Sequence, residues 1–460
     1  MALRFFNTLT QRVEDFTPLA PPRVGLYTCG PTVYNYAQIG NLRAFLFDDL
    51  LRRTLEARGY TVTQVMNITD VEDKIIRAVR ESGKSLPEIT GFYTQEFFRD
   101  LDSLNIRRAH IIPRATETIP DMIALIERLI AKKHAYVAAD GSVYYSIQSF
   151  PDYLKLSHRK LDDLQLGARV ARDEYAKETV ADFALWKATD AADGDVAWDS
   201  PWGRGRPGWH IECSVMSMKH LGESFDIHCG GEDLIFPHHE NEIAQSEAAT
   251  GKPFVRYWLH NAHLLVDGKK MSKSLGNFYT LRDLIAKGWT GRELRYLLLS
   301  VHYRLPLNFT FDGLAAARAA LSRLDEFLLK IQELSSSSSS SSSNLETQFF
   351  TALDDDLNVS AALGHLFDFI RETNKRIADG ALMPPEAAAI LGEWQKLDAV
   401  LGFGLPQVEA PPELQQLLTD RETARKAKDF KRSDAIRAEL KEKGWVIEDT
   451  PKGPRLKKGS

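Results

Sequence analysis

Cysteine is scarce in this 460-residue chain, which has only Cys29, Cys213 and Cys229. Three scattered thiols cannot make a disulfide framework, so the expected compartment is a reducing cytoplasm. No run of about 18 apolar residues occurs, and no membrane span is expected. The opening residues Met1-Ala2-Leu3-Arg4-Phe5-Phe6-Asn7 lack the apolar stretch and cleavage site of a secretion signal. Internal repeats are not evident. Charge is not strongly one-sided either. The net value is −5, and the apolar share of 43% and charged share of 26% are ordinary for a globular protein. These values exclude a uniformly basic nucleic-acid coat.

The charge that is present lies unevenly. Residues 421–460 hold 13 Lys and Arg against 7 Asp and Glu, a surplus of +6, which leaves −11 on the first 420 residues. A basic tail on an acidic body is the footprint expected for a polyanion such as RNA. The length suffices for roughly two to four domains with at least one large core.

A short β-rich run, Arg23 to Thr28, ends at Cys29-Gly30-Pro31-Thr32. Gln38-Ile39-Gly40-Asn41 follows, then Leu42, Phe45, Leu46, Leu50 and Leu55 at helical spacing as far as Gly59. A second strand is expected from Tyr60 to Ile68. Strand, glycine turn, helix and strand make a βαβ unit, the start of a parallel sheet. Gly40 and Asn41 fall where helix amides point outward, a natural phosphate site. An insertion is expected over about 112–200. The sheet should resume at Phe225 to His228, with a helix from His238 to Ala249 and a strand from Trp258 to Val266. Residues 281–334 read as helical, 335–343 as a flexible serine linker, and 344–401 as helical again. The last module begins at Pro411-Pro412, with helices from Glu413 to Lys428 and Ser433 to Lys443 and a strand at Gly444 to Ile447. The predicted fold class is α/β: a Rossmann-type parallel-sheet domain over 1–300 with its insertion, then an α-helical bundle and a small mixed C-terminal module.

Two groups of residues carry chemistry. In Lys270-Met271-Ser272-Lys273-Ser274, two lysines flank a tight polar turn between Asp267-Gly268 and Gly276-Asn277. Their flexible ammonium groups can follow charge developing on a pyrophosphate. In His238-His239-Glu240-Asn241-Glu242, His238 and Glu242 stand four residues apart on one face of the predicted helix. Together with Cys29 and Cys213 they form a thiolate-containing set that favours zinc over harder ions. On the residues alone, Cys229 competes for a place and His239 could stand in for His238.

Lys270 to Ser274 resembles the KMSKS signature of class I aminoacyl-tRNA synthetases. Tyr27-Thr28-Cys29-Gly30-Pro31-Thr32-Val33-Tyr34, Trp209-His210-Ile211-Glu212-Cys213-Ser214, Phe225 to Gly231 and Phe236 to Glu242 resemble the cysteinyl-tRNA synthetases, and the similarity spans essentially the whole chain. The resemblance implies one zinc on Cys29, Cys213, His238 and Glu242, with Cys229 and His239 outside the set. It implies that Trp209 and His228 meet the amino acid. Thr32, Gly231, Asp233 and Lys273 would meet ATP, and Gln38, Gly40, Asn41, Lys270 and Lys273 would form the catalytic phosphate-handling group. The implied partners are L-cysteine, ATP with Mg²⁺, and tRNA(Cys). The carboxylate of cysteine attacks the α-phosphate to give cysteinyl-adenylate and pyrophosphate, and the terminal adenosine of the tRNA then takes the cysteinyl group. Positioning and charge stabilisation suffice for such chemistry. Serine differs from cysteine by one atom, and a small change in a pocket is worth only ~1–3 kcal/mol. A metal that binds thiolate reads sulfur as a bond instead.

The resemblance also makes 1–300 the catalytic domain, 301–334 a helical stem-contact region, 344–405 an anticodon-binding bundle and 411–460 a small tRNA-binding module. Arg425, Asp434 and Asp449 become candidates for reading unstacked anticodon bases. The chain is expected to act as a monomer. One departure stands out: Gln38 replaces the first histidine of the HIGH-like motif. A glutamine amide can still donate a hydrogen bond but cannot become cationic, so activity should be retained with slower activation. Two rival readings are a ligase that passes activated cysteine to an amino-sugar acceptor, and a catalytically silent RNA-binding paralogue.

Overall fold

Four parallel strands form the central sheet, in the order Val255–Asn261, Phe225–Gly231, Arg23–Thr28, Thr61–Met66. Tyr27 is paired with Val65 on one side and His228 on the other. Such strands are covered on both faces, which is why they read as near-continuous apolar runs rather than alternating ones. The chain enters the sheet in the middle. Its second strand lies to one side of the first, and its later strands lie to the other. In an open parallel sheet, ligands bind beyond the carboxyl ends of the strands where the order reverses. Here that place lies between Arg23–Thr28 and Phe225–Gly231.

The computed structural model describes residues 2–160, 182–190, 193–271, 276–335, 344–404, 410–450 and 453–458. It divides into two compact units. One comprises Met1–Ala320, Asn344–Asp368 and Lys396–Phe403; the other comprises Leu321–Ser343, Phe369–Gln395 and Gly404–Ser460. Lys273 with its neighbours Ser272 and Ser274, most of the serine run, and 161–181 of the insertion lie outside the described residues.

The helix Ile39–Ala57 follows the first strand. Leu42, Leu46, Leu50, Leu51 and Leu55 are buried. Its first turn is closed when Asn41 Oδ1 accepts the Gln38 amide at 3.1 Å. The expected insertion contributes three strands of an antiparallel sheet, Ala135–Val137, Val143–Tyr145 and Phe183–Ala188, and a fourth, Gly205–Pro207, lies beyond its expected end. Tyr145, Phe183 and Trp186 from it share one core with Ile119, Ile126 and Phe225.

The α/β class matches the prediction, but several elements begin or break elsewhere. The helix expected from His238 is α-helical only over Glu240–Thr250, and Ile235–His239 precede it as a wider turn. Pro237 explains the delay: the residue before a proline is pushed out of the helical region, and Phe236 is extended at φ −139°, ψ 131°. The strand expected from Trp258 to Val266 is two strands. Val255–Asn261 stays in the central sheet, whereas Leu264–Val266 pairs with Lys269–Lys270 and Leu307–Phe309. The stretch read as helical from Leu281 holds two short capped helices, Leu281–Ala286 and Gly291–Leu299, before the strand Leu307–Phe309 and the long helix Phe311–Leu334. In the second unit, Pro412–Lys426 and Phe430–Glu442 pack around Leu414, Ile436, Leu440 and Trp445. The expected last strand is half of a hairpin, Trp445–Thr450 with Gly453–Lys458. Among the described residues, no helix is long and apolar enough to cross a membrane.

Candidate active site and metal centre

A cavity of about 520 Å³ opens at the carboxyl ends of the central strands. Its wall joins three groups that lie far apart in sequence. Cys29, Cys213, His238 and Trp209 line one part; Thr32, Gln38, Gly40, Asn41, Gly231 and Asp233 line another; Lys270 and Met271 complete it. Gly30 is there because nothing larger fits: a Cβ on it would lie 1.6 Å from the Asn67 carbonyl oxygen. One on Gly231 would lie 2.4 Å from Asp233 Oδ1, so the Asp233 side chain would have to move.

Cys29, Cys213, His238 and Glu242 converge so that one donor atom from each lies within 4.8 Å of the others. The two sulfurs are 4.0 Å apart. Thiolates bonded at ~2.3 Å to one tetrahedral ion would stand at nearly that spacing. Glu242 Oε1 is fully buried and accepts no hydrogen bond, although His238 Nε2 lies 3.1 Å away. An unpartnered buried carboxylate oxygen that close to a ring nitrogen suits a cation between them. The electrostatics agree. Burial pushes the Glu242 carboxyl up and the His238 imidazole down. The hydrogen bond to Cys213, with burial, pushes the Cys29 thiol up. Without a cation, burial favours the neutral Glu242 carboxyl and Cys29 thiol, and a metal would bind them deprotonated.

A second set, Cys29, His228, His239 and Glu242, meets the same distance limit. It shares Cys29 and Glu242 with the first, so one ion can use only one set. His228 Nε2 lies 2.9 Å from Glu242 Oε2, a hydrogen bond to the carboxylate oxygen that the first set leaves free. His239 Nε2 is 3.4 Å from Cys29 Sγ, and its Nδ1 is 2.8 Å from His260 Nε2. His260 Nδ1 in turn lies 2.7 Å from Thr8 Oγ1. Cys229 is buried and belongs to neither set.

The remaining expected residues divide in two. Trp209 stacks on His238 with ring centres 4.1 Å apart and 26° between planes, so it walls the cavity beside the metal set. His228 does not line the cavity. It is fully buried, stacked 4.6 Å from Trp258, and its imidazole is pushed down to about 3 by burial. Arg425, Asp434 and Asp449 belong to the second unit. Arg425 and Asp434 are exposed on its two helices, and Asp449 lies in its hairpin.

Two residues at the site, Asn67 and Thr69, had not been expected. Gly30 N–H donates to Asn67 Oδ1 (2.9 Å), Asn67 Nδ2 to Thr69 Oγ1 (3.1 Å), and Thr69 Oγ1 to Glu212 Oε2 (3.0 Å). This chain of bonds joins the residue after Cys29 to the residue before Cys213. Asn67 and Thr69 follow the carboxyl end of a central strand, the position that could have flagged them.

Comparisons with known proteins place these features. Residues 15–319 match the family model described as tRNA synthetases class I (C) catalytic domain. Residues 348–405 match a DALR domain, and 407–454 match a cysteinyl-tRNA ligase anticodon binding domain. A cysteine–tRNA ligase of Protochlamydia amoebophila is 50% identical over 467 residues, covering 99% of this chain and 98% of that one. One from Chlamydia pneumoniae is 51% identical over 466 residues with the same coverage. Among solved structures, Mycobacterium tuberculosis methionyl-tRNA synthetase with methionyl-adenylate superposes with a TM-score of 0.60 at 14% identity, over 84% of this chain and 92% of that one. The Agrobacterium radiobacter K84 LeuRS–tRNA–LeuAMS complex gives 0.61 at 12% identity, over 85% of each chain. These two likenesses concern the fold.

Proposed function

The chain belongs to the cysteine–tRNA ligase family of class I synthetases, ATP-dependent enzymes that join cysteine to tRNA, and from that premise we propose how its residues divide the work. The observation that carries the proposal is the single cavity in which a thiolate-rich donor set and a helix N-terminus with glycine-rich turns face each other.

Cys29, Cys213, His238 and Glu242 would hold one Zn²⁺; the His228 Nε2 of the histidine-rich alternative is already bonded to Glu242 Oε2, which supports the first set. The ion would supply a bond to the substrate's thiolate, which a serine hydroxyl replaces poorly. His228 acts as a positioning residue for Glu242 rather than as a wall of the amino-acid pocket. Trp209, stacked on His238, narrows the space around the substrate side chain and excludes water.

ATP, arriving with Mg²⁺, lies along the N-terminus of Ile39–Ala57, whose dipole favours phosphate, although the Ile39 amide is bonded to the Tyr279 carbonyl and the Asn41 amide to the Gln38 side chain. Asn41 Oδ1 is committed to the Gln38 amide, which leaves Asn41 Nδ2 and the Gln38 side-chain amide as donors. Thr32, Gly231 and Asp233 border the nucleotide, and Lys270 and Lys273 neutralise the leaving pyrophosphate. The cysteine carboxylate attacks the α-phosphate, and the acceptor adenosine then takes the cysteinyl group. The match to a cysteinyl-tRNA ligase anticodon binding domain supports tRNA(Cys) as acceptor over an amino sugar. Within 344–405 and 411–460, Arg425, Asp434 and Asp449 are proposed to read anticodon bases. The chain is proposed to act as a cytoplasmic monomer.

Aminoacylation of purified tRNA tests the reading. Charging with cysteine and not serine is expected. Adenylate formation without transfer to tRNA would point to another acceptor, and tRNA binding without pyrophosphate exchange would point to a silent paralogue.

A further inference from the structure

The helix Asp73–Ser82 turns one side to solvent. Lys74, Arg77 and Arg80 are exposed there, three residues apart and therefore along one stripe. Among the described residues none of the three makes an ion pair. Nearby arginines behave otherwise: Arg282 is bound to Glu96 and Asp100, and Arg99 to Glu96. The stripe begins at the cavity, because Lys74 lines it and sits over the Tyr34 ring at 5.9 Å. Arg80 lies about 9 Å farther along the helix axis. On the next helix, Leu86–Ser103, Phe92 is 48% exposed. Its ring meets Tyr93 at 5.1 Å and Tyr36 at 6.2 Å, and both tyrosines line the cavity. A row of rings and a row of unpaired cations therefore leave the cavity together, on a body whose first 420 residues carry −11.

We propose that this face is the track for the unpaired 3′ end of the tRNA. Its phosphates lie along Lys74, Arg77 and Arg80, and one of its bases stacks on Phe92. The inference rests on the reading of the cavity as the place where a terminal adenosine accepts the cysteinyl group. ATP does not explain a stripe that runs outward from the cavity, and a duplex does not explain an exposed ring, because only an unstacked base can lie on it. Single-stranded nucleic acid fits both.

The test uses the full chain with an Arg77→Gln/Arg80→Gln double variant and with Phe92→Ala. Three quantities are measured: cysteine-dependent ATP–pyrophosphate exchange without tRNA, KM for tRNA in aminoacylation, and affinity for intact tRNA against tRNA lacking its last three nucleotides. Exchange should stay within about twofold of the native protein, which also reports that the variants fold. KM for tRNA should rise roughly tenfold for Phe92→Ala, in line with the loss of one stacked base, and Phe92→Trp should restore it. The double variant should lower the log–log salt slope of tRNA binding by ~1.4, about 0.7 for each phosphate released. Native protein and variants should bind the shortened tRNA alike. The proposal is overturned by an unchanged KM for tRNA, by an equal loss on shortened tRNA, or by exchange that falls in step with aminoacylation. Failure of the native protein to charge tRNA would instead sink the underlying reading of the site.

Discussion

His228 Nε2 lies 2.9 Å from Glu242 Oε2, with both side chains fully buried. Glu242 thus has one oxygen held by an imidazole while the other faces His238 Nε2 at 3.1 Å without a hydrogen bond. Partners of this kind fix a ligand's orientation, and their loss typically weakens metal binding 10–100-fold. His228→Ala should therefore raise the zinc dissociation constant by about that factor, measured by competition with a chromophoric chelator. KM for cysteine should change less once zinc is saturating. Unchanged zinc affinity with a raised KM for cysteine would put His228 against the substrate.

Gln38 stands at the N-cap of Ile39–Ala57 and lines the cavity. Its amide can donate to a phosphate but cannot carry charge. Replacing it with histidine should leave KM for cysteine unchanged and speed ATP–pyrophosphate exchange, by roughly tenfold if one charge-assisted hydrogen bond is gained at ~1.4 kcal/mol. No cysteine-dependent exchange in the native protein, with recovery in Gln38→His, would show that glutamine disables the site.

Much of this was legible in the sequence because it rests on local rules. The βαβ start followed from strand, glycine turn and helix period, and the structure has it at Arg23–Thr28, Ile39–Ala57 and Thr61–Met66. Helical spacing marked His238 and Glu242 as a candidate ligand pair, and the resemblance implied the rest of the set. The α-helix proper starts at Glu240, yet the turn before it brings both side chains into one donor cluster, with His228 and His239 in a second that shares Glu242. What stayed hidden depends on tertiary closeness. Nothing local announces that Asn67 will meet Gly30, or that Thr69 will meet Glu212. Likewise the break at Asn261, where one strand leaves the central sheet and the next joins Leu307–Phe309, is set by partners remote in sequence.

Asn67 offers a direct check of that hidden layer. Its side chain accepts from Gly30 and donates to Thr69, so it ties the two cysteine-bearing segments together. Asn67→Ala removes both bonds, and the contact of Cys213 Sγ with Asn67 Oδ1 at 3.8 Å, and should destabilise the fold by ~1–3 kcal/mol. It should also weaken zinc binding more than Thr69→Val does, because the Asn67 side chain bonds to Gly30, whereas Thr69 meets the turn after Cys29 through its backbone, which the valine keeps. Equal zinc affinity in the two variants would argue that the spacing of the sulfurs does not depend on this bond. Gly30→Ala should be harsher, since its Cβ would sit 1.6 Å from a carbonyl oxygen.

Metal removal should make stability depend on pH in a defined direction. In the metal-free fold the carboxyl of Glu242 is held above its ordinary range by burial, and the Cys29 thiol is held up by its bond to Cys213 and by burial. An unfolded Glu242 would lose its proton near pH ~4.3, whereas the folded one keeps it to higher pH. Above that point the folded state binds more protons than the unfolded state, so stability falls as pH rises, by up to about 1.4 kcal/mol per pH unit for each such proton. Zinc reverses the sign at these residues. Its ligands must be deprotonated, so its affinity grows with pH. The difference in Tm between the zinc-loaded and chelator-treated protein should accordingly widen from about pH 6 to 8, and cysteine-dependent exchange should vanish on chelation and return with added zinc. A difference in Tm that is flat or narrows over that range would mean that Glu242 and Cys29 do not release protons to a metal.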